Sequence, residues 1–279
     1  MTAATTATAD LQRKLDAPYP LTPEQVTRFR EEGFIKLKDV WDAEVLDYYG
    51  GEITRLTLEQ NPHRDVPLEK RDTYGKAFIQ VGNLWTKSDT ARAFSFAKRM
   101  ARLAAELMGV DGVRMWHDQA LYKEAGGGFT PWHVDQYYWP MGSGKSVTAW
   151  VPLQAVPMDM GPLSFARGSH VKYIARDIAI SDESERLIRE QVKLHKLIEV
   201  MEPFDLGEVS FHYGWTLHRA GPNTTGQPRK VHTVIYMDKD MRLIEPRNPN
   251  HESDWKSWTP STKVGEVMAD PKNPVLWER

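Results

Sequence analysis

Apolar positions in the first 110 residues recur at helical spacing, and from about residue 113 they switch to strand-like alternation. The first helix opens at Thr22-Pro23-Glu24-Gln25, where Thr22 caps, Pro23 suits the first turn and Gln25 completes a capping box. Val26 and Phe29 continue its apolar face, Gly33 stops it, and residues 34–37 alternate as a short strand. A second helix is expected over residues 42–59 in spite of Gly50 and Gly51. Residues 61–75 read as loop and 77–85 as extended chain. Ala93, Phe96, Ala97, Met100, Leu103, Ala104 and Leu107 then predict one amphipathic helix over residues 90–108, ended by Gly109.

Beyond this helical frame, strands are expected at residues 113–123, around His133, and at 147–153, 161–165, 208–212 and 229–237. A helix is inserted over residues 182–196. Short strands between Gly- and Pro-rich turns define the fold class as mainly β with flanking α-helices. The core is a double-stranded β-helix, a cupin-like jelly roll. The chain reads as a single domain over residues 1–279. Within it, 1–18 form a flexible N-terminus, 19–112 a mostly helical frame, 113–240 the jelly-roll core and 241–279 a tail. That tail shows no clear secondary structure, with Trp255, Trp258 and Trp277 as anchors. Gly126-Gly127-Gly128 opens no helix and is followed by no phosphate-loop lysine, so it reads as a connector.

Charge and cysteine content narrow the chemistry. Lys and Arg total 36 against 38 Asp and Glu, a net charge of −2, which gives no reason to expect nucleic acid or an anionic membrane as partner. The absence of cysteine excludes disulfides, thiolate zinc sites and cysteine nucleophiles, leaving His, Asp and Glu to bind any metal. Residues 1–10 lack the basic start and apolar core of a secretory signal. No run approaches the roughly 18 apolar residues of a membrane span, so a cytoplasmic protein is expected.

The candidate chemistry centres on Thr130-Pro131-Trp132-His133-Val134-Asp135-Gln136. His133 and Asp135 are two residues apart, so on a strand they share a face. With one more imidazole they would complete the 2-His-1-carboxylate face that binds non-haem Fe(II) and leaves coordination positions open. His63 and His251 sit in polar loops and are expected to be solvated. His117, His195 and His232 lack a distinguishing pattern, and His170 is expected to shape a turn. His212 and His218 remain as sources of the second imidazole. His218 is the stronger, because the tight turn Arg219-Ala220-Gly221-Pro222-Asn223 follows it and would return the Arg229 strand antiparallel beside it. Arg229 could clamp a carboxylate with its planar fork, although a surface ion pair is the commoner fate of an arginine.

Taken together, the segment 130–135, Trp150, Gly161-Pro162-Leu163, Gly168-Ser169-His170, and His218 with Pro222-Asn223 and Arg229 resemble the phytanoyl-CoA dioxygenase-like family. These are Fe(II)- and 2-oxoglutarate-dependent oxygenases, and the resemblance spans residues 20–240. It implies that His133, Asp135 and His218 are the catalytic metal ligands and that Arg229 holds the distal carboxylate of 2-oxoglutarate. It also implies that Trp150 borders the co-substrate, that Thr130 contacts it and that Lys123 matches a family lysine. Ala220 stands where some relatives place a serine against the co-substrate, which leaves Gln119 as a candidate for that hydrogen bond. Asp135 occupies the position that halogenating relatives leave small, which argues against halogenation.

The implied reaction consumes O2 and 2-oxoglutarate, releases succinate and CO2, and hydroxylates an unactivated C–H bond of a small-molecule substrate. Gln136, Tyr137, Tyr138 and Trp139 follow the ligands and are candidate substrate contacts. The same fold could instead carry a non-redox metal enzyme or a non-catalytic binding module. The substrate and the oligomeric state stay open.

Overall fold

The computed structural model describes residues 3–279, with side chains from residue 9 onward; the first two residues of the expected flexible N-terminus lie outside the described residues. The helical frame comprises α1 (Ala3–Asp16), α2 (Pro23–Glu32), α3 (Ala43–Glu59), α4 (Thr73–Ala77), α5 (Asp89–Ser95) and α6 (Lys98–Met108), with strands β1 (Phe34–Leu37) and β2 (Ile79–Gly82) between them. Then come β3 (Gly112–Tyr122), β4 (Thr130–His133), β5 (Ser146–Pro152), β6 (Leu163–Ala166), α7 (Asp182–Leu194) and β7 (Glu199–Met201). The chain ends with β8 (Val209–Tyr213), β9 (His218–Ala220), β10 (Val231–Asp238), α8 (Pro249–Trp258) and β11 (Val275–Glu278).

The strands form two antiparallel sheets. The larger runs β1-β8-β5-β10-β3-β11, with β2 also on β3, and the smaller runs β4-β9-β6-β7. This is the expected mainly β jelly-roll core with flanking helices. Alternation along the larger sheet sorts its two faces. Val147, Ala149, Val151, Phe211, Tyr213, Val234 and Tyr236 join the apolar cluster beneath the helices. Their neighbours His117, Gln119, Thr148, Trp150, His212 and Thr233 instead line a cavity facing the smaller sheet. The polar half of each strand thus becomes a chamber wall.

Local chemistry explains the frame. In α2 the Thr22 side chain accepts from the Gln25 amide while Gln25 reaches back, and Gly33 closes the helix at φ 87°. Asp42 caps α3 by accepting from the Val45 amide at 3.0 Å.

Several sequence expectations need correction. Within the segment expected to be flexible, residues 3–16 form α1, which buries Leu11 and Leu15, and Arg99 donates to the Ala17 carbonyl at 2.7 Å just after the helix. The helix expected over residues 90–108 is two, α5 and α6, broken at Ala97 with ψ 118°. Both halves bury the same side, so periodicity does not register the break. The tail is structured, with Asn248 capping α8 through the His251 amide and β11 pairing with β3. His251 is buried, with its Nε2 hydrogen donated to the Tyr137 carbonyl at 3.0 Å. The strand after Arg229 does not lie beside His218 either. β10 pairs with β3 and β5 in the larger sheet, while β9 belongs to the smaller, so residues 221–230 cross between sheets. Among the described residues, no helix is long and apolar enough to cross a membrane.

If α1 is integral to the fold, Leu15→Ala should cost about 2 kcal/mol, the low end for a buried leucine in an element free to relax. Urea denaturation would read this as a lower midpoint at unchanged slope. An unshifted midpoint would mean that the helix frays in solution.

Candidate metal centre and its cavity

Two cross-strand pairs build the centre. In the smaller sheet His133 on β4 sits directly opposite His218 on β9. In the larger sheet Thr148 on β5 sits opposite His212 on β8. Asp135 lies between them. β4 ends at His133, but Val134 stays extended at φ −125° and ψ 134°, so the face-sharing of residues two apart survives into the 3-10 turn that Asp135 opens. One Asp135 oxygen, Oδ1, is 3.5 Å from His133 Nε2 and 3.4 Å from His218 Nε2. The other, Oδ2, accepts from the Thr148 hydroxyl at 2.9 Å and from His212 Nε2 at 3.2 Å.

The far sides of the two imidazoles decide what faces inward. His133 Nδ1 donates to the Pro131 carbonyl at 2.8 Å, and His218 Nδ1 donates to the Thr216 carbonyl at 2.9 Å. A carbonyl only accepts, so each Nδ1 carries a proton, and a neutral ring would turn a bare Nε2 lone pair toward Asp135. Burial, with the neighbouring His218 adding to it, lowers the His133 pKa and favours that neutral ring. Burial would raise the Asp135 carboxyl, yet the hydrogen bonds it accepts, that from His212 among them, hold it well below its ordinary range. Ligand atoms of His133, Asp135 and His218 all lie within 4.8 Å of one another. Two lone pairs and a carboxylate turned on one point fit a divalent cation, and the donor set matches the 2-His-1-carboxylate face. His212, the other candidate for third ligand, holds the carboxylate from behind.

A cavity of about 390 Å³ opens beside this cluster. Arg229 lines one end of it with Lys123 buried beside it, and neither meets a carboxylate among the described residues. Arg229 is 1% exposed, donates from Nη1 to the Gly161 carbonyl, and leaves its Nε without a partner. Burial pulls its pKa down to about 9, so it stays charged at neutral pH. Its guanidinium lies 5.4 Å over Trp150, whose ring packs on Phe204. Gly161 adopts φ 72°, and a side chain there would strike the Gly221 carbonyl, so the position that orients Arg229 requires glycine. Lys123 forms a backbone bridge with Arg229, is fully buried, and bonds the Gly128 carbonyl and, at 3.4 Å, the Thr130 hydroxyl. Burial, reinforced by the Arg229 charge, pushes its pKa well below the usual lysine value.

The sequence candidates therefore separate. Thr130, Trp150, Gln119 and Arg229 line the cavity, as do Tyr138 and Trp139. Gln119 Oε1 accepts from Gln80 Nε2 at 2.5 Å. Gln136 and Tyr137 do not line it. Gln136 is buried against Ser146 and the Ser143 carbonyl, and Tyr137 packs with the cluster under α7. In a 3-10 turn residues three apart share a side, so Asp135 and Tyr138 face the cavity while Gln136 and Tyr137 turn away. Sequence reasoning missed Tyr74, Gln80, His117, Ile180, Asp254 and Trp258 as cavity residues, because distant segments deliver them. The one readable signal was the Asn248-Pro249 helix start, with Trp255 and Trp258 at helical spacing behind it.

A family model described as phytanoyl-CoA dioxygenase matches residues 29–231. No curated protein sequence matches the chain. Among solved structures it is similar to the non-haem α-ketoglutarate-dependent carbocyclase SnoK of nogalamycin biosynthesis, at 23% identity and TM-score 0.73, covering 93% of this chain and 99% of that one. It is also similar to the epimerase SnoN in complex with Fe3+, α-ketoglutarate and nogalamycin RO, at 25% identity and TM-score 0.74 over 97% of this chain and 100% of that one. A third is EctD from S. alaskensis with 2-oxoglutarate and 5-hydroxyectoine, at 19% identity and TM-score 0.67 over 90% and 87%.

His218→Ala should abolish stoichiometric binding of a divalent metal. His212→Phe should retain the metal while weakening its affinity by about 10- to 100-fold, the usual cost of losing a group that orients a ligand. Metal content after dialysis, followed by metal titration, measures both. Equal loss in the two variants would make His212 a ligand.

Proposed function

This chain belongs to the phytanoyl-CoA dioxygenase family, and we propose from that premise that it is an Fe(II)- and 2-oxoglutarate-dependent oxygenase hydroxylating a C–H bond of a small-molecule substrate. One observation carries the reading: a metal-ready triad shares a cavity with a buried, unpaired arginine. A dicarboxylate that chelates a metal at one end and needs a cation at the other answers both features.

His133, Asp135 and His218 would hold Fe(II), with Thr148 and His212 keeping the Asp135 carboxylate turned toward it. Arg229 would take the distal carboxylate of 2-oxoglutarate, with Thr130 beside it, Lys123 holding the Thr130 hydroxyl and Trp150 as a wall. Bound there, Fe(II) would supply activation of O2 coupled to oxidative decarboxylation of 2-oxoglutarate to succinate and CO2, with oxidation of the substrate C–H bond. The protein's own work is orientation and exclusion of water. Tyr138, Trp139, His117 and Trp258 surround the remaining space with aromatic surface, and no residue is asked to act as a general base.

The test is the apparent 2-oxoglutarate constant together with succinate release. Arg229→Lys keeps the charge and loses the fork, so affinity should fall about 30- to 150-fold, equivalent to about 2–3 kcal/mol, at near-normal metal content. An unchanged constant in both Arg229→Lys and Arg229→Ala would remove 2-oxoglutarate from this end of the cavity.

Lys123 gives a second outcome with opposite signs. Lys123→Met removes a buried amine that meets no carboxylate among the described residues, so the protein without co-substrate should melt at a higher temperature. The stabilisation that 2-oxoglutarate confers on the wild type should shrink in the same variant. A variant that loses stability while keeping the full co-substrate effect would make Lys123 a purely structural residue.

A further inference from the structure

The cavity has a second end, and its charge is opposite. His117 and Lys123 lie six residues apart along β3 and its continuation, roughly 20 Å of extended chain. Arg229 bridges to Lys123 at one end, whereas Trp258 of α8 stacks on His117 at the other, with ring centroids 4.5 Å apart. Asp254 lies one helical turn before Trp258 and also lines the cavity. α8 is held there by its neighbour one turn earlier, His251, bonded to the Tyr137 carbonyl just beyond the metal ligands.

Every other charged group in the cavity wall already has a task. Asp135 faces the metal position and Arg229 the co-substrate, while burial lowers His117 to about 4 and keeps it neutral. Asp254 has no lysine, arginine or histidine within ion-pairing distance among the described residues. Of the cavity's phenols, Tyr138 accepts from the Ile180 amide at 2.8 Å and keeps its own O–H, and Tyr74 donates to Gln80 at 2.7 Å. What this end offers a ligand is aromatic faces and one free carboxylate. That combination suits a cation, through ion pairing and the negative faces of the rings.

We infer that the substrate carries a protonated amine, which Asp254 binds between Trp258 and Tyr138 while the opposite part of the molecule is presented to the metal. The inference rests on the reading of this cavity as the substrate chamber. Burial raises the Asp254 carboxyl to about 7, against a weaker pull from the Trp258 indole, so it has lost solvation that an ammonium group would replace.

The experiment uses full-length protein loaded with Fe(II) and 2-oxoglutarate under nitrogen, titrated calorimetrically with 2-phenylethylamine, 2-phenylethanol and 3-phenylpropionate. The amine should bind at least about tenfold more tightly than the alcohol or the acid. Asp254→Asn should erase that preference, and Asp254→Glu, which keeps the charge, should retain most of it. Failure of the amine to bind, equal binding of the alcohol, or an undiminished preference in Asp254→Asn overturns the inference. Titration of 2-oxoglutarate alone reports separately on the co-substrate end. Loss of amine selectivity with that binding intact strikes only this inference, and loss of both removes the oxygenase reading as well.

Discussion

Electrostatic repulsion among three ligands is the constraint on which the rest of this structure depends. Two imidazole lone pairs and a carboxylate oxygen are turned on one point inside a protein, and in the absence of a cation they repel. Such an arrangement persists only where the surroundings over-determine it. Here the surroundings are two sheets. The carbonyls of Pro131 and Thr216 set the histidine tautomers, and the facing pair Thr148 and His212 sets the carboxylate. The helices contribute indirectly, because the apolar cluster beneath them anchors the outer faces of the strands whose inner faces carry the site.

The buried cations extend the same logic. Lys123 and Arg229 raise the energy of the protein without a ligand, since neither meets a carboxylate. Trp150, packed on Phe204, lies against the Arg229 guanidinium, and on the proposed reading a dianion would relieve the remaining cost. A site arranged this way selects for charge before shape. On the proposed reading it would admit an anion at one end of the chamber and, with Asp254, a cation at the other, so two ligands of opposite charge would be sorted into their places.

What was legible in the sequence follows from how local each signal is. Thr22 and Gln25 wrote a helix start that needs only neighbours, and the structure has it to the residue. The strand alternation of residues 113–238 established the fold class because period two survives burial on one side. The break at Ala97 was invisible, since two helices that bury one side read as one period. The partner sheet of β10 was also illegible. A turn after His218 suggests a hairpin, and only the distant edge offered by β3 and β5 makes the chain cross instead. At the site, the spacing of His133 and Asp135 was local and readable, while His117, Tyr74 and Asp254 reach the cavity through tertiary contacts. The choice between His212 and His218 turned on the ring nitrogens' partners, which no spacing reveals.

The division between shared chemistry and individual specificity is visible along the chain. The family match ends at residue 231, by which point every candidate metal ligand and Arg229 have been placed. α8 and β11 come afterwards, in the tail where a helix start and two spaced tryptophans are the readable signal, yet they return to β3 and to the turn that follows Asp135. A wall supplied from outside the matched segment can change its side chains without disturbing Thr148, His212 or the two sheets. Asp254 and Trp258 occupy such a wall, on one face of a capped helix docked by His251. The segment with the weakest sequence signal thereby holds the residues best placed to decide what the chamber accepts, because recognition needs a few side chains at one end and no constraint from the strand ladder.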